Sequence, residues 1–146
     1  TCANFIKYIE NNKFKGAHFY RVVRMDNQPH NDIKIEVIQG GLGFDVEESF
    51  YPPIKHETTK ESGLKHLDGT ISMARLEPGT ASSEFFICIG NQPSLDFGGM
   101  RNSDGQGFAA FGQVIEGMDV VRKIQSMKDE EQMLLETVVI YSISRI

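Results

Sequence analysis

The chain reads as a mainly β protein, a barrel or a sandwich, with two short helices set apart from each other. Short runs rich in Val, Ile, Phe and Tyr recur between turn signals. Fourteen Gly residues punctuate the chain. Helical periodicity surfaces in only two places, so alternating βαβ units have no support.

Thr1 to Asn12 predicts the first helix: Phe5, Ile6 and Ile9 form one stripe, Thr1 is placed to cap the start, and Asn11-Asn12 end it. Phe19-Tyr20-Arg21-Val22-Val23 is a strand by composition. Asp26 to Asn31 is polar and turn-like. Ile33, Ile35 and Val37 then alternate with Lys34, Glu36 and Ile38, which predicts a second strand ending at Gly40-Gly41. Leu42 to Gly69 is long and irregular, a length that in a compact domain points to function or to packing on the surface. Thr70 to Arg75 and Glu84 to Ile89 are the next strands, joined around Pro78-Gly79. Asn91 to Gly107 is a second Gly-rich loop. Ala110 to Ile115 is a strand, Met118, Val121 and Ile124 give a second helix, and Thr137 to Ile146 closes the chain as a strand.

The length of 146 residues and 16.4 kDa suits one domain over residues 1–146. A chain of this size buries roughly 68–70% of its unfolded surface, enough for a real core. A net charge of −5 and a pI of 5.3 argue against nucleic acid or an anionic membrane as partner. No apolar run approaches the roughly 20 residues of a membrane helix. Two cysteines make no disulfide framework, and Cys88, inside Phe85-Phe86-Ile87-Cys88-Ile89, reads as a buried core residue.

Several motifs carry little. Gly105-Gln106-Gly107-Phe108-Ala109-Ala110 fits a relaxed dinucleotide fingerprint, but a polar loop precedes it and a strand follows. Asn102-Ser103-Asp104-Gly105 reads as a turn, not a calcium loop. His18, His30, His56 and His66 lack metal-ligand spacing and read as exposed polar residues, so no metal is expected. No G-x-S-x-G elbow supports a hydrolytic serine.

Three segments say more. Arg21 lies in an apolar strand, where simple alternation puts it on the face of Phe19 and Val23, an odd place for a charge unless that face lines a cleft. Val37-Ile38-Gln39-Gly40-Gly41 is an apolar strand ending in an amide and two glycines. Gly69-Thr70-Ile71-Ser72-Met73-Ala74-Arg75 is followed after a turn by Ser82-Ser83-Glu84-Phe85-Phe86-Ile87. In this order they resemble the cyclophilin family of peptidyl-prolyl isomerases, whose patterns are F-H-R-[IV]-[IV], Q-G-G, and G-x-[IL]-S-M-A followed by S-Q-F-F-I. The stretch from Phe111 to Val121 looks like the family's F-G-x-V-x-x-G-x-x-V-V. The similarity runs from Thr1 to Ile146, with an insertion around Asp26 to Ile33 and a distinctive loop at Asn91 to Gly107.

The resemblance implies a closed, eight-stranded antiparallel barrel capped by two helices, with an outer groove for Xaa-Pro peptides. Family members carry two strands before the first helix, so it also implies that the first two strands are absent from this chain. Arg21 matches the family's catalytic arginine and Gln39 the glutamine that supports it. Phe86, Leu95, Val37, Phe108 and Glu36 match positions of the proline pocket, and Ala74, Arg75 and Leu76 the edge that binds substrate backbone. Glu84 stands in place of a glutamine, Glu36 in place of an aromatic wall beside Arg21, Ser94 in place of a rim tryptophan, and Phe108 in place of a histidine. The implied activity is cis–trans isomerisation about Xaa-Pro bonds, assisting protein folding without a cofactor. Its partners would be proline-containing peptides or unfolded clients, and a monomer is expected. The alternative is a catalytically weak module that only binds such peptides. Bacterial cytoplasm and periplasm both remain open.

Overall fold

Which residues become strands here is decided by the partners available to each backbone. The computed structural model describes residues 1–44 and 50–146; the part of the expected 42–69 loop at 45–49 lies outside the described residues. In chain order the elements are α1 (Cys2–Glu10), β1 (His18–Val23), β2 (Val37–Gly41), the one-turn α2 (Thr59–Ser62), β3 (Thr70–Met73), β4 (Phe85–Cys88), a 3-10 turn (Pro93–Leu95), β5 (Ala109–Gln113), α3 (Met118–Gln125), β6 (Asp129–Glu130) and β7 (Met133–Val139). Seven strands pair in the order β5-β3-β4-β2-β1-β7-β6, all antiparallel. Among the described residues β5 and β6 do not pair with each other, so this is an open seven-stranded sheet where a closed eight-stranded barrel was expected.

Alternation along the central strands sorts side chains into packed layers. Val22, Ile38 and Ile87 join Val121 and Ile124 of α3. Tyr8 of α1 packs with Phe14, Met73 and Phe85, while Phe5 and Ile9 close over the same cluster. The opposite alternation sends Val23, Val37, Phe86 and Cys88 to a third cluster with Ile35 and Leu95. That third cluster forms the floor of the site described below. Cys88 is buried as expected, and burial pushes its thiol up to about 12.

Three elements differ from the sequence expectation. Thr1 takes the N-cap position of α1, but its hydroxyl donates to Glu57 Oε1 at 2.6 Å and makes no cap bond. Ile33 to Glu36 is not strand, although it alternates. The buried Gln28 side chain captures Ile35 instead, donating to its carbonyl at 2.7 Å and accepting from its N–H at 3.2 Å. At the other end, β7 begins at Met133 and stops at Val139. Val139 pairs with His18, the first residue of β1, and Ile140 N–H donates to Ala17 O; beyond that point the ladder has no partner strand among the described residues. The hairpin before β7 was not anticipated. Glu131 and Gln132 have φ of 50° and 75° and connect Glu130 to its partner Met133, a two-residue turn of the hand that suits twisted strands.

Candidate active site

A bulge in β1 creates the site. Phe19 pairs with Gly40 while Arg21 pairs with Gln39, so Tyr20 and Arg21 both face a single residue of β2. This overturns simple alternation: Phe19 packs inward against Phe85, and Arg21 turns to a cavity outside the core. The cavity holds about 440 Å³. Arg21 and Gln39 line one wall, Val37, Phe86 and Leu95 the floor, and Phe108 and Ala74 the far side. Arg75, Leu76 and Glu84 complete the expected set.

Glu36 is the exception among the residues expected there. It is one residue out of phase with Ile35 and Val37, which line the cavity, and its Oε2 accepts from Gln125 of α3 at 3.0 Å. The carboxylate expected beside Arg21 is therefore turned to the other side of the chain. Sequence reasoning also missed residues that matter. Ile35, Phe44, Thr80, Ser82, Arg101 and Asn102 line the cavity, and Gln132 reaches the arginine from the β6–β7 turn.

The Arg21 guanidinium is held by two amide oxygens. Nη1 donates to Gln39 Oε1 at 2.8 Å; Nε and Nη2 donate to Gln132 Oε1 at 3.1 and 2.7 Å. Three of its five N–H groups are thus committed, leaving one on each Nη. Burial pulls its pKa down from the ordinary value, but a guanidinium that starts above about 12 stays charged at any working pH. No carboxylate pairs with it among the described residues.

Gln39 is itself oriented. Its amide N–H donates to Tyr20 OH at 3.0 Å, and Tyr20 donates to Glu84 Oε1 at 2.8 Å. Burial and the neighbouring carboxylate push the Tyr20 pKa well up, so the phenol remains a donor. Glu84 accepts three more bonds: Oε1 from Gly43 N at 2.8 Å, and Oε2 from Leu42 N at 3.2 Å and Ser83 Oγ at 2.6 Å. The carboxylate fits because Gly41, at φ 142°, has no side chain; a Cβ there would stand 2.7 Å from Glu84.

Arg75 is a staple, not an open contact. It grips Asp104 through Nη1 and Nη2 at 2.9 and 3.0 Å, donates to Gly107 O, and lies over the Phe108 ring at 4.8 Å. Phe108 meets Phe86 edge to face, with centroids 5.5 Å apart and planes at 86°. Beyond β3, Ala74 N–H donates to Glu84 O and Leu76 N–H to Thr80 Oγ1. Leu76 itself is 81% exposed at the rim.

Beneath Phe86 lies a second polar group. His66 was expected to be exposed, yet it is 1% accessible and stacks on the Phe86 ring. Its Nδ1 is 2.7 Å from Asp96 Oδ1 and its Nε2 2.8 Å from Ser72 Oγ. The order Asp–His–Ser matches a hydrolase triad, but Ser72 is 0% exposed, so no carbonyl substrate reaches its hydroxyl. The group is a buried support for the floor. Burial holds the His66 pKa below its ordinary value, against the opposing pull of Asp96. Unfolding below about pH 6.5 therefore takes up a proton that the native state resists, and stability declines as pH falls through that window. We expect Tm to drop between pH 7 and pH 5 and the slope to flatten in His66→Gln. Equal slopes for the two proteins would show that another group titrates.

Comparisons with known proteins identify the family. The family model described as "Cyclophilin type peptidyl-prolyl cis-trans isomerase/CLD" matches residues 1–145. Peptidyl-prolyl cis-trans isomerase A of Dickeya dadantii is 36% identical over 129 residues, which cover 87% of this chain and 60% of that protein. Peptidyl-prolyl cis-trans isomerase B of Escherichia coli K12 is 33% identical over 135 residues, covering 87% of this chain and 71% of that protein. Among solved structures, a cyclophilin-type peptidyl-prolyl cis-trans isomerase of Cryptosporidium parvum superposes with a TM-score of 0.73 at 21% identity, covering 97% of this chain and 80% of that one. The fold is that of the cyclophilins. The chain belongs to the cyclophilin-type peptidyl-prolyl cis-trans isomerase family, and it spans about three fifths of the length of the Dickeya relative.

Proposed function

We propose that the protein catalyses cis–trans isomerisation of Xaa-Pro peptide bonds, with proline-containing peptides or unfolded chains as substrates. The observation that carries this reading is the Arg21 guanidinium, fixed by two amide oxygens, with N–H groups to spare over an apolar floor. The Cryptosporidium structure was also solved in the presence of the dipeptide Ala-Pro, which accords with a proline site in this fold.

The barrier to rotation, about 18–20 kcal/mol, comes from amide resonance. At the twisted transition state the imide nitrogen becomes pyramidal and regains a lone pair. An Arg21 N–H aimed at that nitrogen stabilises the twisted state more than either planar one, which is the condition for catalysis. Gln39 and Gln132 hold the donor so that no reorganisation is needed at that moment. Val37, Phe86, Leu95 and Phe108 receive the proline ring. No group in this scheme forms a covalent bond or requires a cofactor.

A protease-coupled prolyl peptide assay tests the reading. Micromolar protein should bring the exchange from tens of seconds, its uncatalysed range, to seconds or less. Peptide binding with no acceleration would replace the enzyme by the alternative, a module that only holds proline segments.

Among the described residues the cavity lining contains no histidine. Turnover should therefore stay flat between about pH 5.5 and 7.5. Phe108→His should introduce a titration near pH 6–7. If neither protein responds and the variant merely loses stability, Phe108 belongs to the core and not to the pocket.

A further inference from the structure

Of the chain's six arginines, four pair with carboxylates: Arg24, Arg75, Arg122 and Arg145. The two without a carboxylate among the described residues, Arg21 and Arg101, line the same cavity. Arg21 is accounted for by the reaction. Arg101 is not, and it sits where the two segments that set this chain apart come together. It belongs to the Gly-rich loop, where its backbone N–H donates to Ser94 O at 3.2 Å. Its side chain crosses to the insertion, with Nη1 donating to Gln28 Oε1 at 2.9 Å and to Ile33 O at 2.7 Å.

Those two bonds use both N–H groups of Nη1. Among the described residues, Nε and Nη2, the pair that grips a carboxylate side-on, have no acceptor. At Arg21 the corresponding edge is filled by Gln132, so the two cations differ in what they can accept. The one carboxylate among the described lining residues, and the one held by Arg75 at the cavity's edge, are already engaged. Glu84 already receives four donors, and Asp104 is closed in its two-point contact with Arg75. Burial, and next the charge of Arg21, depress the Arg101 pKa, as expected for two cations sharing one wall. Among the described residues the lining carries Arg21, Arg75 and Arg101 against Glu84, with Arg75 paired to Asp104, so its charged groups sum to a cation.

We propose that Arg101 is a specificity residue of the groove, and that it selects peptides carrying a carboxylate side chain on a residue flanking the proline. The inference rests on the prolyl-isomerase reading for its substrate, but the anion preference is separately measurable. A peptide seated with its proline on Phe86 and Leu95 places a flanking side chain within the same cavity. There a planar carboxylate completes the open edge of a guanidinium already held in place by Gln28 and Ile33, so little side-chain entropy is lost on binding.

The test uses matched prolyl peptides with Glu, Gln or Lys immediately before or immediately after proline. At low salt we expect kcat/KM for Glu to exceed that for Gln at least 5-fold at one of the two positions, with Lys poorest. At 0.5 M salt the ratio should shrink to below 2-fold, a readout that needs no variant. In Arg101→Met the Glu/Gln ratio should fall to about 1, and in Arg101→Glu the order of Glu and Lys should invert. Equal turnover of Glu and Gln peptides at both positions, or a preference that survives in Arg101→Met, would overturn the assignment. If the Gln peptide is not isomerised at all, the catalytic reading fails instead. Equilibrium binding of the same peptides, followed by NMR shifts of the Arg101 side-chain N–H, then decides the anion preference by the same ratios.

Discussion

Replacing Arg21 by Ala is expected to lower kcat/KM for prolyl isomerisation at least 10-fold, a loss of about 1.4 kcal/mol of transition-state stabilisation. The loss should appear mainly in kcat. In the proposed reading the proline ring rests on Val37, Phe86, Leu95 and Phe108, which line the cavity and are not altered by the substitution, so ground-state binding has little reason to change. Arg21→Lys should restore only part of the rate. An ammonium can reach one glutamine oxygen, but it lacks the fork that lets Nε and Nη2 share Gln132 Oε1 while Nη1 holds Gln39. Gln132→Ala leaves the charge in place and removes the grip; it should lower kcat less than Arg21→Ala while leaving KM nearly constant. An Arg21→Ala protein that folds, binds peptide and turns it over at the parental rate would leave the binding module as the better description.

How far the sequence foretold this arrangement depended on whether the deciding interaction was local. Strands β1 to β5 are short apolar runs between turn residues, and their approximate positions follow from composition. The ends of the strands do not, because they depend on partners remote in sequence. Ile33 and Ile35 alternate correctly, yet one buried glutamine seven residues earlier takes both polar groups of Ile35. The closing strand starts at Met133, ahead of its Val- and Ile-rich run, because pairing with His18 and Phe19 sets its register, not its own Val and Ile content.

In the site, Arg21 and Gln39 were legible by motif, but the bulge that brings Tyr20 and Arg21 to face Gln39 has no sequence signature in this run. Glu36 was legible as an error: the phase that puts Ile35, Val37 and Gln39 on the cavity puts Glu36 on the opposite side. Gln132 left no signal, since a polar residue in a turn is ordinary until its φ and its contact with Arg21 are seen. Arg101 did leave one, a cation inside a loop already marked as distinctive.

Glu84→Gln would restore the glutamine that the family pattern carries, and it is nevertheless expected to damage this protein. Both Glu84 oxygens act as acceptors, Oε1 for Tyr20 OH and Gly43 N, Oε2 for Leu42 N and Ser83 Oγ. An amide has only one acceptor oxygen. Whichever way it turns, its NH₂ meets two donors, one of them a backbone N–H that cannot rotate away. Hydrogen bonds to a charged acceptor contribute about 1.5–3 kcal/mol, and a donor left without a partner adds its own desolvation cost. With the serine or tyrosine hydroxyl free to turn and accept, the net loss should be about 2–4 kcal/mol, seen as a fall in Tm of roughly 6–15 °C. The effect should reach the reaction too, because Tyr20 orients Gln39 and Gln39 holds Arg21. Tyr20→Phe cuts that chain at a different link, so the double variant should lose less than the sum of the two single losses. Thermal melts and kcat/KM for the four proteins measure both couplings. A Glu84→Gln protein as stable and as active as the parent would mean that its carboxylate is dispensable and that the chain from Tyr20 to Arg21 is held by packing alone.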